Sequence, residues 1–168
     1  ADAKTPAKAV KGGYGVAGST YTYAIGKLVL WSSDANLVKD DVAAVIKSDA
    51  VKHLAVANPK LAPYGEAAYQ TLGALGLEKD AESKINIGKT LQFVSSGNAE
   101  AGFIALSQCF KGGKFTSGSG YVIPQELYGQ INQDAVLLKA GEKNEGAKRF
   151  LKFLKESQEA SDIRAAYG

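Results

Sequence analysis

Two stretches of this chain, Lys52–Leu75 and Lys84–Asn98, have the residue types and order suited to holding a small anion. In the first, HLAVANP reads as a short buried strand running into a loop, and PYGEAAYQTLGAL then opens a helix. In the second, KINIG is again a strand end, and GKTLQFVSSG again opens a helix. A helix that starts just after a strand turns its unpaired backbone N–H groups, and the positive end of its dipole, towards the mouth of the sheet. Two such openings facing one crevice make an anion site that needs no arginine. Tyr64, in the first opening, is placed to add a phenolic donor. The chemistry expected is binding of an oxyanion, with no reaction performed on it.

Each opening taken alone also has a plain structural explanation. NPKLAPYG (Asn58–Gly65) serves as a strand-to-helix connection whose prolines stop one element and start the next. Asn86 serves equally as an ordinary helix N-cap. It is the pairing of two openings in consecutive units that favours a site. Other chemistries have little to build on. His53, the one histidine, stands at the start of a predicted buried strand, where packing or capping suits it better than catalysis. No His–Cys or His–Asp cluster supports a metal cation. The chain has no GxGxxG, Walker-type or GxSxG motif. SGSGY (Ser117–Tyr121) precedes a strand, not a helix, and KGGK (Lys111–Lys114) reads as a turn. Asp40 and Asp41 are adjacent and so do not face one site. Cys109, in ALSQCF, reads as a small buried hydrophobe, and a lone cysteine leaves no internal disulfide. No cofactor is expected.

Of the 168 residues, 45% are apolar and 22% charged, the balance of an ordinary globular protein. The 20 basic and 17 acidic residues are interspersed, so the net charge of +3 gives no basic block and no nucleic-acid partner. Ala1–Gly13 is charged and lacks the apolar core of a secretory signal, and no apolar run approaches the ~20 residues that span a bilayer. The absence of methionine makes a processed or incomplete N-terminus the expectation.

The elements that must position the two openings follow from periodicity. Thr5–Lys11 is expected to be a short helix capped by Thr5, and Gly12–Ser19 a turn. YTYAIGKLVLWS (Tyr21–Ser32) is one long strand or two joined at Gly26. Leu37–Ile46 is a helix, His53–Ala57 a strand, and the helix from Pro63 buries Ala68, Tyr69, Leu72 and Leu75. Ala101–Leu106 is a buried strand; Tyr121–Pro124 and Ala135–Ala140 are shorter strands with INQD between them. Ala147, Phe150, Leu151 and Leu154 form an apolar stripe on a helix opposite Lys148, Lys152 and Lys155, and a last helix runs from about Ser157 to Ala166. The fold class is α/β, with a mixed, largely parallel sheet flanked by helices.

Several of these segments resemble the periplasmic molybdate-binding proteins, soluble receptors of ABC importers with the type II periplasmic binding-protein fold. They are YAIGKLVLWSSD, HLAVANPKLAPYGEAAYQTLGALGL, NIGKTLQFVSSGNAEAGFIALSQ, QDAVLLKAG and RFLKFLKESQEASDIRAAYG. The string Asn86–Gln108 is the most specific of them. The resemblance implies a two-lobed receptor that holds molybdate or tungstate by neutral hydrogen bonds and hands it to a membrane permease in the periplasm. Sulfate or another tetrahedral oxyanion is the alternative ligand, and a small α/β enzyme acting on a phosphorylated substrate the alternative class. By the same resemblance Tyr64 and Gly65 occupy the PxG position of the second lobe. Ile87 offers a backbone amide between Asn86 and Gly88, and Ala105 stands where some members place a tyrosine. It also implies that residues 1–25 are a remnant of the first lobe, 26–140 the second lobe, and 141–168 helices packing back on the hinge. A truncated first lobe is expected to leave apolar surface bare around Tyr21–Ile25 and to promote self-association.

Overall fold

The strand-forming run Tyr21–Ser32 is interrupted at Lys27, and its halves join different sheets. In the computed structural model, which describes residues 2–39 and 41–168, β1 is Tyr21–Gly26 and β2 is Leu28–Ser32. The chain forms two units: Ala1–Gly26 with Ile131–Ala166, and Lys27–Gln130 with Tyr167–Gly168.

In the first unit, helix α1 (Lys4–Lys11) starts one residue before the expected cap. Asp2, not Thr5, accepts from the Thr5 backbone N–H (3.3 Å) and hydroxyl (2.8 Å). The other strand of this unit's sheet is Ile131–Ala135, antiparallel to β1 from Tyr21↔Ala135 to Gly26↔Ile131. This is the INQD segment that the sequence places between strands. Its polar residues are tolerated because the sheet has two strands and is only half-buried, and the Thr22 hydroxyl donates to Asp134 Oδ1 at 2.7 Å. Residues 131–135 therefore go with the terminal segments and not with the middle of the chain. The Asn144 side chain caps the helix Glu145–Glu156 by accepting from the Ala147 N–H. No residue of that helix is fully buried, and Phe150, on the expected apolar stripe, is 59% exposed. The helix Gln158–Ala166 follows. Tyr21 is not bare: its hydroxyl donates to the Leu151 carbonyl at 2.8 Å and the Lys155 ammonium lies 5.7 Å from its ring centre. Ile25 is exposed.

In the second unit, a five-stranded mixed sheet has β2 beside Ala101–Ala105 (β5), with Leu54–Val56 (β3) and Ile85–Ile87 (β4) to one side and Ser119–Val122 (β8) to the other. The order is β4-β3-β5-β2-β8; β3 pairs parallel with β4 and β5, and β2 antiparallel with β5 and β8. All of β2 and β3 is buried, as continuous apolar runs in an inner strand require. The hairpin Phe110–Lys111/Lys114–Phe115 (β6, β7) turns at Gly112 and Gly113, both with positive φ, so KGGK is the turn it reads as.

Helix α2 is Val42–Lys47, five residues shorter at its start than expected. Asp41 accepts from the Ala44 N–H at 2.8 Å and fixes the N-terminus there, while Leu37 lies in the preceding turn. Asp40, the other member of that acidic pair, lies outside the described residues. Helix α3, Pro63–Ala74, has Pro at its first position and buries Gly65, Ala67, Ala68, Thr71 and Leu72. Tyr69 and Leu75 are exposed: the covered stripe is rotated towards the small residues, which let the helix lie close on the sheet. Helices α4 (Glu78–Glu82) and α5 (Thr90–Ser95) complete the unit. His53 is not buried. Its ring is largely exposed, with Nδ1 3.4 Å from Glu100 Oε1, and its backbone N–H donates to Glu100 Oε2 at 2.6 Å.

Candidate functional site

Three segments of the second unit meet around a cavity of about 390 Å³. The β3–α3 connection contributes Ala57, Ala62 and Tyr64; the β4–α5 connection and first turn contribute Gly88, Lys89, Thr90, Leu91 and Gln92. The end of β5 and the turn after it contribute Phe103, Ile104, Ala105 and Gln108. Both strand-to-helix openings singled out in the sequence thus border one cavity, at the carboxyl ends of β3, β4 and β5. Ligands of open α/β sheets sit at this end, where loops diverge and helix N-termini begin.

Of the expected site residues, Tyr64, Gly88 and Ala105 line the cavity; Gly65, Asn86 and Ile87 do not. Gly65 has a different task. Its N–H donates to the Ala62 carbonyl at 3.0 Å, and a Cβ there would come 2.2 Å from the Ala57 carbonyl oxygen. Only a glycine lets the first turn of α3 pass so close to the end of β3. Glu66 also donates to Ala62, and Pro63 has no N–H, so much of this helix start is internally satisfied. The Gly88 N–H donates to the Val56 carbonyl at 3.2 Å, and the Ala105 N–H to Gln108 Oε1 at 3.3 Å. Both amides are committed to the fold.

Asn86 is not the N-cap of α5. It lies within β4, aligned with Ala55, and the residue before the helix is Lys89, with no side-chain cap. Ile87 ends β4, the edge strand, aligned with Val56, and is 51% exposed. Backbone N–H groups alternate in direction along a strand. With Gly88 donating to β3, the Ile87 N–H points off the free edge.

Lys89, Thr90, Gln92 and Gln108 were missed by sequence reasoning, although all four lie in the specific string Asn86–Gln108. Nothing in their types marks them out; only the packing of α5 on β5 does. Gly102 permits that packing, since a Cβ there would meet Thr90 Cγ2 at 2.7 Å, the Ala55 carbonyl at 2.9 Å and Val94 Cγ2 at 2.9 Å. Thr90 is 8% exposed, and its Oγ1 is buried with no hydrogen-bond partner. Lys89 is exposed and is the one charged residue among those lining the cavity; no carboxylate lines it. Among the described residues, no group of three or more His, Cys, Asp and Glu is placed to hold a metal ion. Cys109, next in sequence to the cavity-lining Gln108, is a buried free thiol whose pKa burial pushes up to about 11, the small buried hydrophobe expected.

A cavity framed by strand-to-helix openings and lined by no carboxylate has room for a small solute, and the family comparison gives the class of protein. The model of the bacterial extracellular solute-binding proteins matches residues 1–168, and the chain belongs to that family. In particular, it is 51% identical over 172 residues to the molybdate-binding protein ModA of Azotobacter vinelandii, covering 100% of this chain and 68% of that protein. It is 49% identical over 172 residues to the molybdate-binding protein ModA of Rhodobacter capsulatus, covering 100% of this chain and 66% of that one. The chain therefore spans about two thirds of the length of these curated relatives. The solved structure of the Azotobacter vinelandii periplasmic molybdate-binding protein matches with a TM-score of 0.90 at 36% identity, over 100% of this chain and 74% of that one. The resemblance carried by separate segments of the sequence thus extends along the whole chain. These relatives are binding proteins, and the enzymatic alternative falls away.

Proposed function

We propose that this chain supplies the second lobe, with the hinge, of a receptor for molybdate or tungstate that acts in the periplasm and delivers its ligand to the permease of an ABC importer. One observation carries the reading: a cavity without carboxylates, bordered by two strand-to-helix openings, in a chain about half identical to molybdate-binding proteins. Neutral donors suit the task. Several N–H and O–H groups neutralise a dianion without a tightly held counter-ion, so release to the transporter stays possible. In this reading the Tyr64 hydroxyl and the Ile87 N–H donate to the anion. The β3–β4 ladder leaves the Ile87 N–H unused, next to the cavity-lining Gly88, which supports the second assignment; Gly65, Gly88 and Ala105 supply close packing and walls.

The test is calorimetric titration of the chain with molybdate, tungstate and sulfate, with the Azotobacter vinelandii relative as reference. Molybdate and tungstate should bind and sulfate should bind more weakly, since a smaller anion leaves donors unpaired at about 1–3 kcal/mol each. Tyr64→Phe isolates the hydroxyl. Ile87→Pro removes an N–H that the β3–β4 ladder does not use, which an edge strand tolerates. Each should weaken binding by about 1.5–3 kcal/mol, the range for a hydrogen bond to a charged group. Sulfate binding as tightly as molybdate would point to a sulfate receptor, and affinity unchanged in both variants would remove these two residues from the site.

A further inference from the structure

We propose that Lys89 sets the charge selectivity of this cavity: its ammonium group favours tetrahedral dianions over monoanions of the same size. The inference rests on the oxyanion reading above and adds to it a cationic element that neutral hydrogen bonding does not contain. Lys89 is the one charged residue among those lining the cavity, and no carboxylate residue lines it, so the sign of the local potential follows from this residue. It stands between the outward-facing amide of Ile87 at the end of β4 and the first residue of α5. The salt bridges found elsewhere, such as Lys47–Asp80, Lys148–Glu145 and Lys152–Glu156, leave Lys89 out. Among the described residues Lys89 forms no ion pair within 4.0 Å. It is also exposed, which keeps the ammonium solvated and mobile on a flexible four-carbon stem.

These properties decide which kind of effect to expect. A solvated charge at a cavity mouth acts through Coulomb attraction at high dielectric, not through a desolvated ion pair. It steers and retains anions without the deep well that would hinder release. For an ammonium taken to lie about 6 Å from the anion in a water-like dielectric, a unit charge raises the affinity of a dianion roughly tenfold and that of a monoanion roughly threefold. The ratio of the two is the selectivity that Lys89 contributes. At physiological ionic strength the Debye length is about 8 Å, so these factors shrink to roughly threefold and twofold.

Tungstate and perrhenate make the required pair of probes, since both are tetrahedral oxyanions of nearly equal size, one carrying two charges and the other one. Wild type, Lys89→Gln and Lys89→Arg are titrated with each by calorimetry at about 10 mM and 150 mM ionic strength. Because Lys89 is exposed, both variants should keep the wild-type circular dichroism. Lys89→Gln should lose about tenfold in tungstate affinity but only about threefold in perrhenate affinity at low salt, with smaller losses at high salt. Lys89→Arg, which keeps the charge, should restore both. Equal losses for the two anions, a loss independent of salt, or no loss at all would overturn the proposal. Absence of tungstate binding by the wild-type chain would instead overturn the reading, on which the proposal rests, that this chain holds the oxyanion without the rest of a first lobe.

Discussion

Replacing Gly65 by alanine tests how closely helix α3 is pressed onto the end of β3. A Cβ on residue 65 would lie 2.2 Å from the Ala57 carbonyl oxygen, 2.7 Å from its carbon and 2.9 Å from the Asn58 carbonyl carbon. All three are backbone atoms, so no side chain can swing aside, and the helix or the loop must shift. Overpacking of this kind costs about 1–3 kcal/mol, and backbone neighbours place this case near 3. Alanine recovers about 1 kcal/mol through its higher helix propensity. The net loss is about 2 kcal/mol, or a fall of about 4–8 °C in Tm for a chain of this length. Gly73 in the same helix supplies the control: there a Cβ would meet only the Glu78 carboxylate, at 3.4 Å. Gly73→Ala should therefore stabilise, by about 0.5–1 kcal/mol. Urea unfolding followed by Trp31, the one tryptophan and buried in β2, reads the unit that holds both glycines. A Gly65→Ala variant as stable as wild type, or one that shifts in the same direction as Gly73→Ala, would refute the close-approach argument.

Three further outcomes follow from the same geometry. Thr90→Val keeps the shape of the side chain but removes a buried hydroxyl without a partner, and should raise stability by about 1 kcal/mol in urea unfolding; a loss would mean the hydroxyl is bonded after all. At Glu100, burial raises the carboxyl pKa, but the hydrogen bonds from the His53 backbone and side chain and the Lys52 N–H outweigh it and hold the pKa below its ordinary 4.5. A carboxylate lowered in this way contributes stability above the unfolded value, and that contribution is lost as pH falls through the folded value. Glu100→Gln should thus destabilise the chain at neutral pH and flatten the loss of stability below about pH 4.5; parallel pH profiles for the variant and wild type would remove Glu100 from that account. Cys109, buried with its pKa near 11, should react with a thiol reagent at pH 8 far more slowly in the native chain than in urea, and equal rates would contradict its burial.

What the sequence determined by itself was whatever depends on neighbours along the chain. Apolar runs flanked by turn residues located β3 and β5, and Pro63 marked the start of α3, because φ restriction and side-chain periodicity are local. The same local signals brought the two strand-to-helix openings into view, and the string Asn86–Gln108 carried the family resemblance. Local reasoning went astray where a distant partner decides. Leu37–Ile46 has helical periodicity, yet the Asp41 cap set the actual start. INQD looked like a connection until pairing with β1, more than 100 residues away, made it a strand. Tyr69 and Leu75 shared a helical face with Ala68 and Leu72, but the sheet selected the small-residue face for close contact.

The site divides in the same way. Its segments were legible; the task of each residue within them was not. Gly65, Asn86, Ile87 and Gly88 are alike in being short-range neighbours of a helix start, but only the tertiary ladder commits the Gly88 amide to Val56 and turns that of Ile87 outward. Lys89 and Thr90 gained their places in the cavity only when α5 settled onto Gly102. A backbone donor is available to a ligand only if no other carbonyl has taken it, and which carbonyl lies opposite is fixed by strands brought together from different parts of the chain.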